Sequence, residues 1–134
     1  MTDEDLLQAA AEQRTAAYAP YSGFCVGAAL ETEGGNVFRG CNVENASYGL
    51  SLCAERSAVF AAVAAGRREF RRMAIVADDT HGVVRPCGAC LQVLWEFAPD
   101  LVLLLGRPDG RFEKRTVRDL LPEGFVFGGR GEGA

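Results

Sequence analysis

Residues 101–105 read Leu-Val-Leu-Leu-Leu, and this apolar run constrains the fold more than any other segment of the chain. Successive side chains of a strand point to opposite faces, so a strand that is apolar at every position is typical of a sheet buried on both sides. Such a sheet needs a covering layer on each face. The run therefore predicts a central strand in a layered α/β fold.

The other segments alternate between the period of a strand and the period of a helix. A period of two begins at Phe24, and turn residues at 33–36 lead into a returning strand, which predicts a hairpin. A first helix is expected to start at a capping box of Thr2 and Asp5 and to end before Pro20. The later helices are predicted at residues 53–65 and 86–97, with a last helical turn at 118–121, and the other strands at 37–41, 73–77, 101–105 and 112–117.

The resulting order is α-β-β-α-β-α-β-β-α, in which two β-α-β links favour right-handed parallel crossovers. The hairpins at either end add antiparallel pairs. We therefore predict an α/β fold with three α-β-α layers and a mixed five-stranded sheet. Residues 1–127 are expected to form a single domain, and residues 128–134, mostly glycine and charge, a disordered tail.

Composition and charge exclude several classes of function. The chain has 134 residues, 49% of them hydrophobic, and a net charge of −4. Proteins that hold a polyanion usually have a basic excess, so neither nucleic acid nor an anionic membrane is an expected partner. The longest apolar run, residues 58–65, is shorter than the ~20 residues of a membrane-spanning helix. The N-terminus is acidic where a signal peptide is basic, so we expect a cytoplasmic protein.

One basic cluster interrupts this acidic chain. Its members are Arg67, Arg68, Arg71 and Arg72, which follow a predicted helix stop at Gly66. Cations complement the C-terminus of a helix, so these side chains are expected to be solvated.

Five cysteines stand at positions 25, 41, 53, 87 and 90, an odd number that does not suit a disulfide framework. Cys87 and Cys90 are three residues apart, so one helical turn places both thiols on the same side. Cys53 starts the preceding helix, and both helices begin at the same sheet edge if their strands are parallel. Helix N-termini favour thiolates, and three such ligands with an open fourth position are typical of a catalytic zinc. Cys25 and Cys41 are expected to be small buried side chains.

Glu55 follows Cys53 by two residues, close enough to reach the open position without being a ligand. Zinc lowers the pKa of its bound water to near neutrality, and a carboxylate beside it can accept and return protons. This arrangement suits the hydrolytic attack of water on an amidine-like carbon with loss of ammonia.

Two alternatives use the same cysteines. The pair Cys87 and Cys90 at a helix start is also the motif of a thioredoxin-like dithiol, which contains no zinc. A purely structural zinc needs a fourth ligand, which His81 or Cys41 would have to supply. Zinc content separates a non-catalytic redox module from the metal-binding hypotheses.

Several longer motifs occur in order along the chain: YSGFCVGAAL at residues 21–30, GCNVENASYG at 40–49, CAER at 53–56 with PCGAC at 86–90, and LLP at 120–122 followed by Phe125. They resemble the zinc-dependent cytidine deaminases of the short, homotetrameric kind, over nearly the whole chain. The resemblance implies hydrolysis of cytidine and 2′-deoxycytidine to the uridine nucleoside and ammonia, as in pyrimidine salvage. It implies one zinc ion per chain, held by Cys53, Cys87 and Cys90, with zinc hydroxide attacking C4 and Glu55 as the proton shuttle.

The resemblance also implies the substrate contacts. Asn42 and Glu44 would bind the ribose 3′-hydroxyl, and Phe24 would pack against the pyrimidine ring. The backbone N–H of Ala54 would contact the pyrimidine carbonyl. A related zinc deaminase of the blasticidin type is the alternative, and residues 42–45 discriminate against it because a ribose-binding pair has no purpose without a ribose.

The expected oligomer also comes from the resemblance. Tyr48 and Phe125 would reach the pockets of neighbouring subunits, which implies a homotetramer with shared active sites. The chain departs from the family pattern at Leu91, where a basic residue is common, and at Trp95, which is bulkier than expected. Both lie on the helix that should pack between subunits.

Arg56 has a physical role of its own beside this set. It lies one helical turn from Cys53. Three thiolates leave a zinc site with a charge of −1, which weakens its ability to acidify water. A guanidinium that donates to the ligand sulfurs offsets that charge, and we expect Arg56 to do this.

Overall fold

The fold comes from a computed structural model, which describes residues 1–128. All of the predicted tail except Gly128 lies outside the described residues. The elements are α1 (Asp3–Arg14), β1 (Val26–Thr32), β2 (Val37–Cys41), a 3-10 turn (Tyr48–Leu50), α2 (Ala54–Ala64), β3 (Phe70–Ala77), α3 (Gly88–Phe97), β4 (Val102–Gly106), β5 (Phe112–Thr116) and α4 (Val117–Leu120).

The five strands form one mixed sheet in the order β2-β1-β3-β4-β5. β1 is antiparallel to both of its neighbours, β3 and β4 are parallel, and β5 is antiparallel to β4. β2 and β3 therefore run in the same direction although β1 lies between them. Since α2 follows β2 and α3 follows β3, both helices begin at the same edge of the sheet, as predicted.

Helices cover both faces of the sheet, which confirms the three-layer prediction. The apolar run in β4 shows this directly, because Leu103, Leu104 and Leu105 are all fully buried. Leu104 packs with Leu6 and Ala10 of α1 on one face. Leu103 and Leu105 belong to the core on the opposite face, which includes residues of α2 and α3.

Gly40 sets the distance between β2 and α2. A Cβ atom at this position would lie 2.5 Å from the backbone oxygen of Ala54 and 2.5 Å from the backbone nitrogen of Ala58. Only a hydrogen fits, so the helix backbone lies directly on the strand. This contact fixes the start of α2, where the first predicted ligand is located.

The prediction of a fully solvated basic cluster is wrong for Arg72. The strand β3 begins at Phe70, three residues earlier than expected, so Arg72 belongs to the strand. Its register partner in the neighbouring strand β1 is Glu31. Its guanidinium lies 2.6 Å from the Glu31 carboxylate and 2.5 Å from Asp3. Cross-strand pairing thus draws this arginine into a largely buried ion-pair network, whereas Arg67 is exposed.

The first helix is shorter than predicted. Helix α1 ends at Arg14, and the capping box of Thr2 and Asp5 is present as expected.

No helix within residues 1–128 is long and apolar enough to cross a membrane. The cytoplasmic location stays a prediction.

Candidate active site

Two helix starts bring three thiols together. Cys53 is the N-cap of α2 and Cys87 the N-cap of α3, each with extended backbone, and Cys90 lies in the first turn of α3. Pro86 therefore precedes the cap instead of occupying the first helical turn. The sulfurs of Cys87 and Cys90 are 3.4 Å apart, and those of Cys53 and Cys87 are 3.9 Å apart. The predicted convergence of the thiols is confirmed.

The cluster of three thiols, those of Cys53, Cys87 and Cys90, fits a zinc ion. All three sulfurs lie within 4.8 Å of one another. Zinc–sulfur bonds of ~2.3 Å in tetrahedral geometry place sulfurs ~3.8 Å apart, which this spacing matches. Among residues 1–128 the group has no fourth His, Cys, Asp or Glu, and His81 pairs with Asp79 in an exposed turn. The three cysteines are therefore placed to hold one metal ion with a position left open.

Arg56 supplies positive charge to the thiols. Its Nη2 atom lies 3.3 Å from the Cys53 sulfur. Hydrogen bonds from the Cys90 thiol and the Arg56 guanidinium lower the pKa of Cys53 to about 5. The pKa of Cys90 is raised because its thiol donates to Cys53 and is buried. Cys53 is thus a thiolate at neutral pH, the form that binds zinc.

Glu55 is one of three buried polar or charged side chains among the described residues, with 5% of its surface exposed. Burial raises the pKa of its carboxyl group to about 7, and the neighbouring Cys53 thiolate adds to this shift. A group with a pKa near the working pH is well suited to accept and return a proton.

Glu55, Cys53 and Cys87 share one cavity of about 200 Å³ with the residues expected to hold the substrate base. Phe24 is partly exposed there, and Ala54 occupies the first position of α2. First-turn N–H groups have no intrahelical acceptor, so the N–H of Ala54 is available to a ligand. The cavity is lined by Phe24, Val26, Asn42, Cys53, Ala54, Glu55, Val84, Arg85 and Cys87.

The amide of Asn42 fastens the start of β1. Its Oδ1 atom accepts from the N–H of Val26 at 2.8 Å, and its Nδ2 atom donates to the carbonyl of Phe24 at 2.8 Å. A side-chain amide has two N–H donors and two acceptor lone pairs. One donor and one lone pair of Asn42 therefore remain for a ligand.

Glu44 belongs to a second cavity, of about 350 Å³. Its carboxylate accepts from the N–H groups of Tyr21 and Ser22, at 2.9 and 3.1 Å, and from the Ser22 hydroxyl. The Ser22 hydrogen bond holds the pKa of this carboxyl below its usual range. Tyr48, 75% exposed, lines the same cavity with its ring 6.0 Å from that of Tyr21. Within one chain, neither Glu44 nor Tyr48 lines the metal cavity.

Phe125 is held beside α3 through its backbone. Gln92 clamps its backbone, donating to the carbonyl at 3.0 Å and accepting from the N–H at 2.9 Å. Trp95 lies under Gly124, where a Cβ atom would be 2.4 Å from its ring. The Phe125 side chain is 70% exposed. Its ring therefore projects outwards and does not line the metal cavity of its own chain.

The two departures from the family pattern are accommodated inside the chain. Leu91 is buried in the core between the sheet and the helices, and Trp95 packs against the same core. Sequence reasoning missed the roles of Ser22 and Gln92 because each binds a residue more than 20 positions away, Ser22 the carboxylate of Glu44 and Gln92 the backbone of Phe125. Only the position of Ser22 within the motif at residues 21–30 pointed to it.

An open three-thiol centre beside a buried carboxyl group is that of a zinc-dependent hydrolase. Residues 1–105 match the family model of the cytidine and deoxycytidylate deaminase zinc-binding region. A cytidine deaminase of Halalkalibacterium halodurans is 49% identical over 127 residues, which cover 94% of this chain and 96% of the relative. The chain therefore belongs to the cytidine and deoxycytidylate deaminase family.

A solved structure and a more distant relative agree with this assignment. The crystal structure of cytidine deaminase from Burkholderia pseudomallei superposes with a TM-score of 0.90 at 53% identity, covering 93% of this chain and all of that chain. A blasticidin-S deaminase of Bacillus cereus is 30% identical over 127 residues, covering 90% of this chain and 89% of that protein. The lower identity favours the cytidine deaminase prediction over the blasticidin alternative, and family membership favours it over a dithiol redox module.

Proposed function

We propose that this chain hydrolyses cytidine and 2′-deoxycytidine to uridine and 2′-deoxyuridine, with release of ammonia. One observation carries the proposal: the buried carboxyl group of Glu55 shares a cavity with the Cys53 and Cys87 thiols and with an aromatic wall. Water is consumed, its oxygen replaces the exocyclic nitrogen at C4, and the amino group leaves as ammonia.

The base binds against Phe24 with its carbonyl at the start of α2. Phe24 is exposed enough within the cavity to pack on a pyrimidine ring. The N–H of Ala54 donates to the ring carbonyl, and the positive end of the helix dipole favours the partial negative charge on that oxygen. These two contacts turn C4 of the base towards the cluster of three thiols.

Glu55 moves the protons. The pKa of its carboxyl is raised to about 7, so the group exchanges a proton readily at neutral pH. It takes one proton from the attacking water and delivers it to N3 of the ring. It then takes the second proton from the new hydroxyl group at C4 and delivers it to the departing amine, so that the oxygen remains as the carbonyl of the product. Zinc, when bound to the three cysteines, supplies a water that is nucleophilic at neutral pH. Arg56 offsets the negative charge of the ligands from its position beside Cys53.

Asn42 and Glu44 bind the sugar. Each retains hydrogen-bonding capacity after its contacts within the chain, since a carboxylate offers about four acceptor sites and Glu44 uses three. Val43 between them is paired with Tyr18 and Leu52, which keeps this segment extended. Side chains two residues apart on an extended segment point to the same side, ~7 Å apart. A ribose hydroxyl can therefore reach both groups, which supports a nucleoside substrate.

We further propose that the active sites are shared in a homotetramer. Tyr48 and Phe125 are largely exposed, and neither lines the metal cavity of its own chain. This supports their expected contribution to neighbouring subunits. Native mass spectrometry should give a tetramer, and mixing Glu55→Gln with Phe125→Ala subunits should recover activity that neither variant has alone. A monomer with full activity would contradict this proposal.

The activity is tested by the ultraviolet absorbance change of cytidine with zinc-loaded protein, chelator-treated protein and the variant Glu55→Gln. We expect conversion to uridine only by the zinc-loaded wild type and by a matched control, Glu69→Gln, whose carboxyl is exposed. Loss of general acid–base catalysis should lower turnover by about 10²- to 10⁴-fold in Glu55→Gln, with zinc retained. Turnover of blasticidin S but not of cytidine would replace this proposal with the alternative substrate.

A further inference from the structure

We propose that Arg107 is a positioning residue for the substrate cavity, acting on the loop that leads from β3 to Cys87. This inference rests on the proposed function for its kinetic readout. Arg107 follows the last residue of β4, Gly106, which is the register partner of Val76 in β3. Its side chain is therefore located where the loop after β3 leaves the sheet.

The guanidinium of Arg107 binds the main chain of that loop. Its Nη1 atom donates to the carbonyl oxygens of Asp79 and Gly82, the latter at 2.7 Å. Its Nη2 atom lies 3.3 Å from the Asp78 carboxylate, and Nε lies 3.8 Å from that of Asp109. Only 20% of the side chain is exposed. Hydrogen bonds from a largely buried cation to carbonyl groups are stronger than those between neutral groups.

These contacts close a tight turn at the beginning of the loop. The Asp79 carbonyl also accepts from the N–H of Gly82, and the Asp79 carboxylate accepts from the N–H of His81. Gly82 has a φ of +114°, which favours glycine. Arg107 thus supplies the positive charge that faces the carbonyl oxygens of Asp79 and Gly82, and the conformation of the turn depends on it.

The remainder of the loop forms a wall of the cavity and delivers a ligand. Val84 is buried, and with Arg85 it lines the cavity that contains Glu55. Two residues further on, Cys87 caps α3 and is the most exposed of the three thiols. Because only residues 83–86 separate the turn from Cys87, a displaced turn shifts both the cavity wall and the sulfur. Arg107 touches neither, so it acts through the loop.

The ion pairs of Arg107 do not account for this role. The Asp78 and Asp109 side chains are 64% and 47% exposed, and exposed ion pairs contribute only ~0–1 kcal/mol. The carbonyl contacts are the ones that define the loop. A variant that removes the Asp78 charge should therefore behave like the wild type, and one that removes the guanidinium should not.

The test compares Arg107→Met, which keeps much of the apolar stem, with Arg107→Gln, Asp78→Asn and the control Arg111→Met. Arg111 lies, like Arg107, in the turn between β4 and β5, and it pairs with Asp109 at 2.7 Å on the surface. Each zinc-loaded protein is mixed with a chelating indicator, and the rate of zinc release is recorded together with kcat, KM and Tm. We expect Arg107→Met to release zinc about tenfold faster and to raise KM for cytidine, whereas Asp78→Asn and Arg111→Met match the wild type.

Two results would overturn the proposal. A folded Arg107 variant with wild-type zinc release and KM but a lower Tm would make the residue a structural brace alone. Faster release in Arg111→Met to the same extent would assign the effect to the β4–β5 turn as a whole. If Arg107→Met is insoluble, Arg107→Gln decides, because it also removes the guanidinium and should release zinc faster than the wild type. Zinc release is independent of turnover, so an inactive wild type would refute the proposed function and leave this measurement interpretable.

Discussion

The guanidinium of Arg56 lies 3.3 Å from the sulfur of Cys53, one turn along the same helix. Cys53 is held as a thiolate, because the hydrogen bond from the Cys90 thiol and this contact with Arg56 lower its pKa to about 5. We expect Arg56→Gln to lower kcat/KM for cytidine about 10- to 100-fold. Steady-state kinetics beside zinc analysis check this, with Arg68→Gln as the exposed control. Unchanged kinetics with full zinc content would rule out a role for Arg56 at the metal.

Metal content should depend on three of the five cysteines. Elemental analysis is expected to give one zinc per chain for Cys41→Ser and much less for Cys87→Ser, because of these two residues only Cys87 belongs to the cluster of three thiols. Removing zinc should also lower Tm, since a metal bound by the folded state stabilises it. Full occupancy in Cys87→Ser would show that the ligands have been misassigned.

Asn42→Ala should affect both stability and substrate affinity. The variant loses the two hydrogen bonds to the backbone of Phe24 and Val26. We expect the free energy of unfolding to fall by about 1–3 kcal/mol and KM for cytidine to rise. Denaturant titration and initial-rate kinetics measure these effects, and Asn36→Ala in the β1–β2 turn provides a surface control. A normal KM would argue against a contact between Asn42 and the sugar.

Acid should remove the contribution of Glu31 to the free energy of unfolding. The hydrogen bond from Arg72 holds the pKa of this buried carboxyl below its ordinary value of 4.5. Its stabilisation is therefore present above the ordinary pKa and is lost as pH falls through the lower pKa of the folded state. At pH 7, Glu31→Gln should lower the free energy of unfolding by about 1–3 kcal/mol, and the difference should shrink below pH 4.

The matched control for this series is Glu33→Gln. Its carboxylate lies 3.6 Å from Arg71, and both side chains are about half exposed. We expect almost no change in Tm at any pH, as is usual for exposed ion pairs. If the Tm of the two variants changed equally with pH, burial of Glu31 would make no difference to the stability of its ion pair.

Gly124→Ala should disturb the segment that holds Phe125. The new methyl group would lie 2.4 Å from the Trp95 ring, so either the ring or the segment must move. Overpacking of this kind costs about 1–3 kcal/mol of stability. Thermal unfolding should show the loss, with Gly128→Ala as a control at an open position. Trp95→Leu should partly rescue the variant, and a lack of rescue would locate the strain elsewhere.

The sequence was sufficient for features that depend on local spacing. Two helix starts with cysteines in fixed positions predicted the thiol group, and the apolar run at residues 101–105 predicted a sheet covered on both faces. The insertion of β1 between β2 and β3 was not predicted, because strand order depends on long-range packing. The same limit applies to Arg72 and Glu31, which are 41 residues apart and meet only through strand register.

Gly40 also places a limit on how the sequence can vary. Any side chain there would displace α2, and with it the thiol of Cys53 and the carboxyl group of Glu55. Gly35, by contrast, needs glycine for its φ of +87°, a conformation that asparagine also tolerates. Relatives that have kept the chemistry should therefore tolerate asparagine at position 35 but retain glycine at position 40, so that a strand residue far from the substrate varies as little as the ligands.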